Sequence, residues 1–265
     1  MRAFDLDALC YYYHGAPGEE DERIQAGFIV GHSLLTARGI PCSGEGDLKT
    51  AVAMKICDTL GVGGSFSEIV VVDYEDETIR LGHDGPFHIA IAEGRPILRG
   101  MGLYHGKQGT GVSVEAKVRQ GPVTTLNVTQ TADGRLKLIS GEGESTDGPT
   151  MQIGNTQTPV RFRLHPDEHM ARWFAEAPTH HCALSIGHNA ALFAKVAALL
   201  VVYHSDGDGW VFTGGFRPPV DPPLHPSPSV WPTTSSGAAP RPARERAGSP
   251  ARRPPARPQR EPAQA

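Results

Sequence analysis

Apolar residues at helical spacing predict a helix near the start of the chain. Four of them recur at every fourth position: Leu48, Val52, Ile56 and Leu60. This spacing predicts an amphipathic helix from Asp47 or Leu48 to Leu60, because such positions share one helix face. Asp47 suits the N-cap and Gly61 the C-terminal cap. An earlier helix is predicted from Glu19 to Ala37, where acids cluster at the N-terminal end.

Beyond this helical beginning, the pattern changes to short β-type segments separated by turns. A first β-type run already occurs at Leu9 to His14. The predicted later strands are Ile69 to Tyr74, Thr78 to Leu81, Phe87 to Ala92, Gly111 to Val118, Val123 to Thr129, Arg135 to Ser140 and Val160 to Leu164. Ser113 to Val118 alternates polar and apolar residues like a half-buried strand, and Asp133-Gly134 is typical of a hairpin turn. Many short strands at this spacing favour a β-barrel or sandwich.

The remaining pattern predicts two more helices and a tail. The helices are expected at Asp167 to Glu176 and at Gly187 to Leu200. From about Pro218 onward the chain is rich in Pro, Ala, Arg and Ser, which predicts disorder because little apolar surface is available for burial. The fold class expected is therefore α+β: a helical part at residues 1–66, an antiparallel β-barrel-like domain at 67–217 and a disordered tail at 218–265.

Charge and composition exclude several classes of protein. The formal net charge is -4, and residues before His225 carry 18 basic and 27 acidic side chains. An acidic body does not favour nucleic-acid binding, which needs Lys and Arg on the folded surface. No stretch approaches the roughly 18 apolar residues of a membrane span. The four cysteines form no C-x-x-C pair, and the N-terminus lacks a signal peptide, so a reduced, cytoplasmic chain is expected.

Residues with metal-ligand chemistry stand beside turns and strand ends. They are Glu45 in the turn Gly44 to Thr50, Glu68 after the predicted turn Gly63 to Ser67, His83, and the pair His180-His181. Two carboxylates with one or two imidazoles suit a divalent cation such as Mn²⁺, and the absence of a thiolate pair argues against structural zinc. Adjacent histidines in an extended segment point to opposite sides, so one of the pair is expected to face the metal.

These residues and their neighbours resemble a known family. The matching motifs are Gly44-Glu45-Gly46-Asp47 with Lys49-Thr50, Phe66-Ser67-Glu68, Leu81-Gly82-His83, Gly154-Asn155-Thr156 and Pro178-Thr179-His180-His181. In this order and spacing, from about residue 20 to 205, the chain resembles the C-terminal half of the L-arabinose isomerase and L-fucose isomerase superfamily. The likeness is closest to the arabinose isomerase branch.

The resemblance implies a function and a site. It implies an α/β portion followed by a C-terminal β-barrel domain, and an oligomeric enzyme that interconverts an aldose and a ketose through an enediol. Mn²⁺ would be bound by Glu45, Glu68, His83 and His181, with Glu45 and Glu68 also transferring protons between C1 and C2 of a pentose or deoxyhexose. His180 would contact the sugar, or replace His181 as ligand.

Other interpretations of the same residues remain open. Glu45 can be a solvated acid beside a capped helix, and a buried histidine is more often a hydrogen-bonded core residue than a ligand. The chain can also be a truncated or non-catalytic metal- or sugar-binding fragment that needs an N-terminal region or a partner subunit. The glycines at Gly100 to Gly111 lack the helix and the Gly-Lys-Ser/Thr ending of a phosphate-binding loop.

Overall fold

The computed structural model describes residues 2–12, 20, 24, 27–100, 103–104, 107–108, 111–200, 203–205 and 211–212. For residues 2, 103–104, 107–108, 203–205 and 211–212 it describes the backbone only. In chain order, its strands are β1 Leu9–Cys10, β2 Cys42–Ser43, β3 Gly63–Asp73, β4 Thr78–His83, β5 Ile97–Gly100, β6 Leu103–Tyr104, β7 Lys107–Gln108, β8 Val112–Glu115, β9 Gly121–Gln130, β10 Leu136–Ser145, β11 Thr156–Phe162, β12 His181–Ile186, β13 Tyr203–Ser205 and β14 Val211–Phe212. The helices are α1 Ile29–Thr36, α2 Leu48–Thr59, α3 Pro166–Ala175 and α4 Ala190–Leu200.

Six of these strands close into an antiparallel barrel. Their order is β11-β4-β3-β12-β9-β10, and β10 pairs again with β11 to complete the ring. The first half of β10 instead binds β13 in parallel, and β14 follows on β13. The fold is therefore mixed α+β with a closed β-barrel, which confirms the expected fold class at this level.

The helices cover the barrel by packing on alternate residues of its strands. α2 and α4 bury Met54 and Phe193 against Phe66, Leu126 and Ala183 in one apolar cluster. On β12, the residues on either side of Ala183 belong to other clusters: Cys182 packs with Trp173 of α3, and Leu184 packs with strands β4 and β11. Successive strand residues point to opposite faces, so β12 is buried on both sides.

The structure confirms most predicted elements and shifts their ends. Helices α2, α3 and α4 and the strands β3, β4, β9, β10 and β11 lie where the pattern placed them, with longer strands. Gly61 follows the end of α2 with φ +71°, as a C-terminal glycine should. The predicted helix from Glu19 is described as α1 from Ile29. Residues 13–19 and most of 21–26 lie outside the described residues, as does the predicted tail at 218–265.

Three local predictions are wrong. Phe87 to Ala92 is not a strand but contains a 3-10 helix, Ile89–Ile91, because the backbone N–H of Ile91 donates to the carbonyl of His88 at 3.0 Å rather than to a neighbouring strand. The turn expected at Gly63 to Ser67 is the start of β3. A side chain at Gly64 would meet Cys57 of α2 at 2.7 Å, so the glycine allows the strand to lie close to the helix.

The third wrong prediction is the half-buried strand at Ser113 to Val118, because both of its faces are buried. Its two charged residues have partners, whereas the buried hydroxyl of Ser113 makes no hydrogen bond within the described part of the chain. Glu115 binds Arg99 and accepts a 2.8 Å hydrogen bond from the backbone N–H of Gly154. Lys117 lies 2.9 Å from Glu93 and donates to the carbonyl of Gly148 at 2.8 Å. Alternating polarity therefore does not show exposure where the charged side chains of the segment are paired inside the protein.

All described residues fall within one compact unit, Met1–Arg217. The division at residue 66 stays a prediction. None of the helices in the described part of the chain has the length and apolar character needed to cross a membrane.

Candidate metal centre

The turn before α2 positions Glu45 at the mouth of the centre. Asp47 caps the helix by accepting hydrogen bonds from the backbone N–H of Thr50 at 2.9 Å and from its hydroxyl at 2.8 Å. Both Glu45 (φ +57°) and Gly46 (φ +68°) have left-handed backbone conformations. A side chain at Gly44 would meet the ring of Phe66 at 2.7 Å. Glu45, as a non-glycine residue with positive φ, is held in a conformation that costs energy, which is common at functional sites.

Strand β4 ends at His83, whose side chain is 2% exposed. Its backbone exchanges two hydrogen bonds with the hydroxyl of Thr156, the first residue of β11. Nε2 of His83 lies 3.5 Å from Oε1 of Glu45. On the other side of the ring, Nδ1 lies 3.1 Å from Oδ1 of Asp84 and accepts a hydrogen bond from the backbone N–H of Gly85 at 2.8 Å. These two contacts of Nδ1 exclude each other. If Nδ1 accepts from Gly85, the proton of the neutral ring lies on Nε2; if Nδ1 carries the proton and donates it to Asp84, Nε2 is free as a ligand atom.

Strand β12 begins at His181, which is 4% exposed. Its Nδ1 lies 2.9 Å from Oδ2 of Asp47. Its Nε2 is buried and makes no hydrogen bond, and it lies 3.4 Å from Oε2 of Glu45. A carboxylate that holds one imidazole nitrogen and leaves the other free is the usual arrangement behind a metal-binding histidine.

Glu68 and His180 form the outer part of the centre. Glu68 lies on β3 directly opposite His181 of β12. Its Oε2 is 2.5 Å from Nε2 of His180, and these side chains are 25% and 70% exposed. The two histidines were expected to point to opposite sides, yet their rings lie 4.6 Å apart and both approach Glu68. His180 precedes the strand, so strand alternation does not apply to it.

The structure thus brings together all five residues that the sequence singled out. They form two groups that share His181: Glu45, His83 and His181, and Glu68, His180 and His181. Within each group the ligand atoms lie within 4.8 Å of one another. Ligand atoms about 2.1 Å from a metal lie about 3.0 to 3.4 Å apart. The two oxygens of Glu45 lie 3.5 Å from Nε2 of His83 and 3.4 Å from Nε2 of His181, which is close to this range.

The charge of the first group also fits a cation. Burial by itself lowers the pKa of His83, but hydrogen bonds to Asp84 and Glu45 and the nearby charge of Glu68 outweigh it and raise that pKa to about 9. Burial likewise opposes ionisation of Asp47, but hydrogen bonds from His181 and Thr50 lower the pKa of its carboxyl. The carboxylates of Glu45, Asp47 and Asp84 thus lie around the imidazoles of His83 and His181. Their negative charge favours a positive charge in the centre.

Sequence reasoning missed several residues that support the centre. Asp47 was placed only as a helix cap, and Asp84 was not connected with the site. The centroid of the Phe66 ring lies 4.5 Å from the ring centroids of both His83 and His181, so both imidazoles pack against it. Asn127 donates through its amide to the carbonyl of His181. Asn127 lies in β9, which pairs with β12. No feature of the sequence indicates that its amide contacts His181.

No protein-family model matches this chain, and no curated protein is significantly similar to it. The chemistry of the centre is therefore the basis for its interpretation.

Proposed function

We propose that this chain is a metal-dependent aldose-ketose isomerase of the L-arabinose and L-fucose isomerase type, with Mn²⁺ or another divalent cation as cofactor. The observation that carries the proposal is the buried, unpartnered Nε2 of His181, which faces Glu45 while Asp47 holds the opposite nitrogen. A buried nitrogen without a hydrogen bond is costly unless a ligand completes it. Glu45, Glu68, His83 and His181 would hold the cation.

The two glutamates have different surroundings, and this suggests different duties. Glu45 lies between two buried imidazoles, His83 and His181, which suits a metal ligand. A carboxylate next to a cation is a poor base because the positive charge lowers its pKa. Glu68, although also a proposed ligand, lies outside the group around Glu45, is partly exposed and pairs with His180. It is therefore the better placed of the two to accept the C2 proton of an open-chain aldose and return it to C1.

The cation and His180 would stabilise and orient the substrate. A bound divalent cation would supply Lewis-acid stabilisation of negative charge on the sugar oxygens at C1 and C2. His180, 70% exposed, would donate to a sugar hydroxyl and hold the carboxylate of Glu68 in place. Glu45 would assist proton transfer between the two oxygens. The four free cysteines are in keeping with a cytoplasmic enzyme, for which a homo-oligomer is proposed.

The alternative is a chain that binds metal but needs a partner polypeptide for turnover. One observation favours it. Leu48 and Val52, in the first turns of α2 just after Glu45, are 71% and 49% exposed. Apolar side chains at this position would be covered if a partner completed the sugar pocket.

The experiment that tests the proposal is Mn²⁺ calorimetry on the purified chain, followed by assays of L-arabinose and L-fucose. We expect about one ion per chain, an affinity at least tenfold weaker in Glu45→Gln, and loss of turnover in Glu68→Gln. Glu75→Gln, the same change at an exposed turn, is the matched control and should behave as wild type. Metal binding without turnover supports the alternative. A folded wild-type protein that binds no divalent cation would refute both functions.

A further inference from the structure

Backbone pairing supports the start of β12 on one side only, within the described part of the chain. On the β3 side the pairing extends to His181, which lies opposite Glu68. On the β9 side it ends at Ala183, opposite Leu126. Unpaired strand ends fray readily. The segment that carries the two histidines of the centre therefore needs other contacts on the β9 side to keep them in place.

The side chain of Asn127, in β9, supplies these contacts. Its Oδ1 accepts a hydrogen bond from the backbone N–H of Thr179 at 3.1 Å, and its Nδ2 donates to the carbonyl of Thr179 at 3.1 Å. The same Nδ2 donates to the hydroxyl of Thr179 at 2.7 Å and to the carbonyl of His181 at 2.5 Å. A carboxamide has the donor and the acceptor of a peptide group, so Asn127 pairs with Thr179 as a residue of a neighbouring strand would.

The segment held in this way is bent. The hydroxyl of Thr129, also in β9, donates to the carbonyl of Ala177 at 2.9 Å. Ala177 has φ +52°, a left-handed conformation that costs energy in a non-glycine residue and persists only where the surroundings hold it. The chain bends again at His180. This bend lets the rings of His180 and His181 lie 4.6 Å apart, both close to Glu68.

The burial of Asn127 gives its contacts a single direction. Its exposed fraction is 0%, and a buried carboxamide is tolerated when its donors and acceptors are paired. All four hydrogen bonds of its side chain go to Thr179 or His181. Asn127 contacts the centre through the backbone of His181, so any effect on a bound metal passes through that histidine.

We propose that Asn127 is a positioning residue of the metal centre, which fixes the orientation of His181 by replacing the backbone pairing that β12 lacks there. Asp47 holds Nδ1 of the same histidine, so the imidazole is fixed from its ring and from its backbone. The inference rests on the metal binding proposed above.

The test compares the Mn²⁺ affinity of the full chain, by calorimetry, in Asn127→Ala and in a matched control. Asn189 is a second buried asparagine, whose Nδ2 donates to the carbonyl of Ile186 at 2.8 Å, at the other end of β12. Both substitutions remove a carboxamide that holds one end of this strand, so both should lower the urea midpoint of unfolding. We expect Mn²⁺ affinity to fall about 10- to 100-fold in Asn127→Ala and to stay unchanged in Asn189→Ala.

Pulsed EPR of the bound Mn²⁺ adds a readout that a loss of stability alone would not change. In wild type and in Asn189→Ala, the echo modulation from imidazole nitrogens should show His83 and His181 as ligands. At saturating Mn²⁺, Asn127→Ala should lose the contribution of one imidazole.

Thr179 provides a second pair of variants in case Asn127→Ala does not fold. Its hydroxyl accepts from Asn127 and donates to the carbonyl of His181 at 3.3 Å. Thr179→Val removes this hydroxyl and should weaken Mn²⁺ binding, whereas Thr179→Ser keeps it and should bind as wild type does. Equal affinities of these two variants would count against the positioning role.

The outcomes separate this inference from the proposed function. A folded wild-type protein that binds no Mn²⁺ has no metal centre for Asn127 to support, and both would fail. If wild type binds Mn²⁺ and Asn127→Ala keeps its affinity and its imidazole modulation, the positioning role alone is refuted. An equal loss of affinity in Asn189→Ala would refute it too, because the effect would then follow from general destabilisation of β12.

Discussion

At the residue scale, His83 determines the charge state of the proposed centre. It is almost fully buried, which disfavours its charged form, yet Asp84, Glu45 and Glu68 surround it and raise its pKa to about 9. In the metal-free protein a proton on His83 therefore supplies the positive charge that these carboxylates favour. A divalent cation would supply the same charge and release the proton.

The raised pKa of His83 predicts how stability depends on pH. The unfolded chain has the ordinary histidine value of 6.5. The folded state binds the proton more tightly, so the extra stability is fully present below about pH 6.5 and is lost as pH rises through about 9. The difference corresponds to on the order of 3 kcal/mol. Urea unfolding of metal-free protein at pH 6.5, 8 and 9 measures this loss.

A histidine variant separates this contribution from other titrating groups. In His83→Gln the free energy of unfolding should change much less between pH 6.5 and 9. His188→Gln, which alters a half-exposed histidine outside the centre, should keep the wild-type dependence. If wild type and His83→Gln lose the same stability over this range, His83 does not hold the proton.

At the element scale, helix α2 shows what the apolar pattern does and does not determine. The spacing of Leu48, Val52 and Ile56 predicts the helix, but Leu48 and Val52 are largely exposed. The buried face instead carries Ala53, Met54 and Cys57 among its residues. The small side chains of Ala53 and Cys57 let the helix lie close to β3, where Gly64 faces Cys57. Periodicity identifies a helix, whereas the buried face depends on how closely the neighbouring strand can approach.

The capping turn of α2 predicts a second experiment. Asp47 caps the helix and also holds Nδ1 of His181. Asp47→Ala removes both interactions, so we expect a stability loss of about 1 kcal/mol and about 10- to 100-fold weaker Mn²⁺ binding. Asp47→Asn keeps one acceptor oxygen in place of two, of which Oδ1 serves the cap and Oδ2 faces Nδ1. It should therefore keep the cap and stay close to wild type in stability while its Mn²⁺ affinity falls. Urea unfolding and calorimetry measure the two effects.

The comparison of the two Asp47 variants tests the positioning role directly. Unchanged Mn²⁺ affinity in Asp47→Ala would show that His181 does not need this carboxylate for orientation. Equal stability of Asp47→Ala and wild type would show that the cap contributes nothing measurable. Thr59→Ala, at the other end of the same helix, serves as a control because the hydroxyl of Thr59 donates to the helix carbonyl of Lys55 and lies away from the centre.

At the scale of the whole molecule, barrel closure brings distant parts of the chain into one centre. Glu68 and His181 are 113 positions apart in the sequence but directly opposite in the β3–β12 pair. The motifs identified these residues, and the short strands indicated a barrel. The register of β3 against β12, which places Glu68 opposite His181, could not be predicted from the sequence. Neither could the contact between Asp47 and His181. Such contacts depend on the closed sheet as a whole.

Because the proposed ligands come from the α2 turn and from strands β3, β4 and β12, a bound cation would join parts of the fold that unfolding separates. Ligand that binds only the folded state stabilises it by about 2.7 kcal/mol at 100 times the dissociation constant. For a chain of this size we therefore expect Mn²⁺ to raise Tm by roughly 5 to 10 °C, and EDTA to reverse the rise. Glu45→Gln should show a much smaller rise in Tm, while Glu75→Gln, at an exposed turn, should keep the full rise. A rise of equal size in Glu45→Gln would place the bound cation outside this centre.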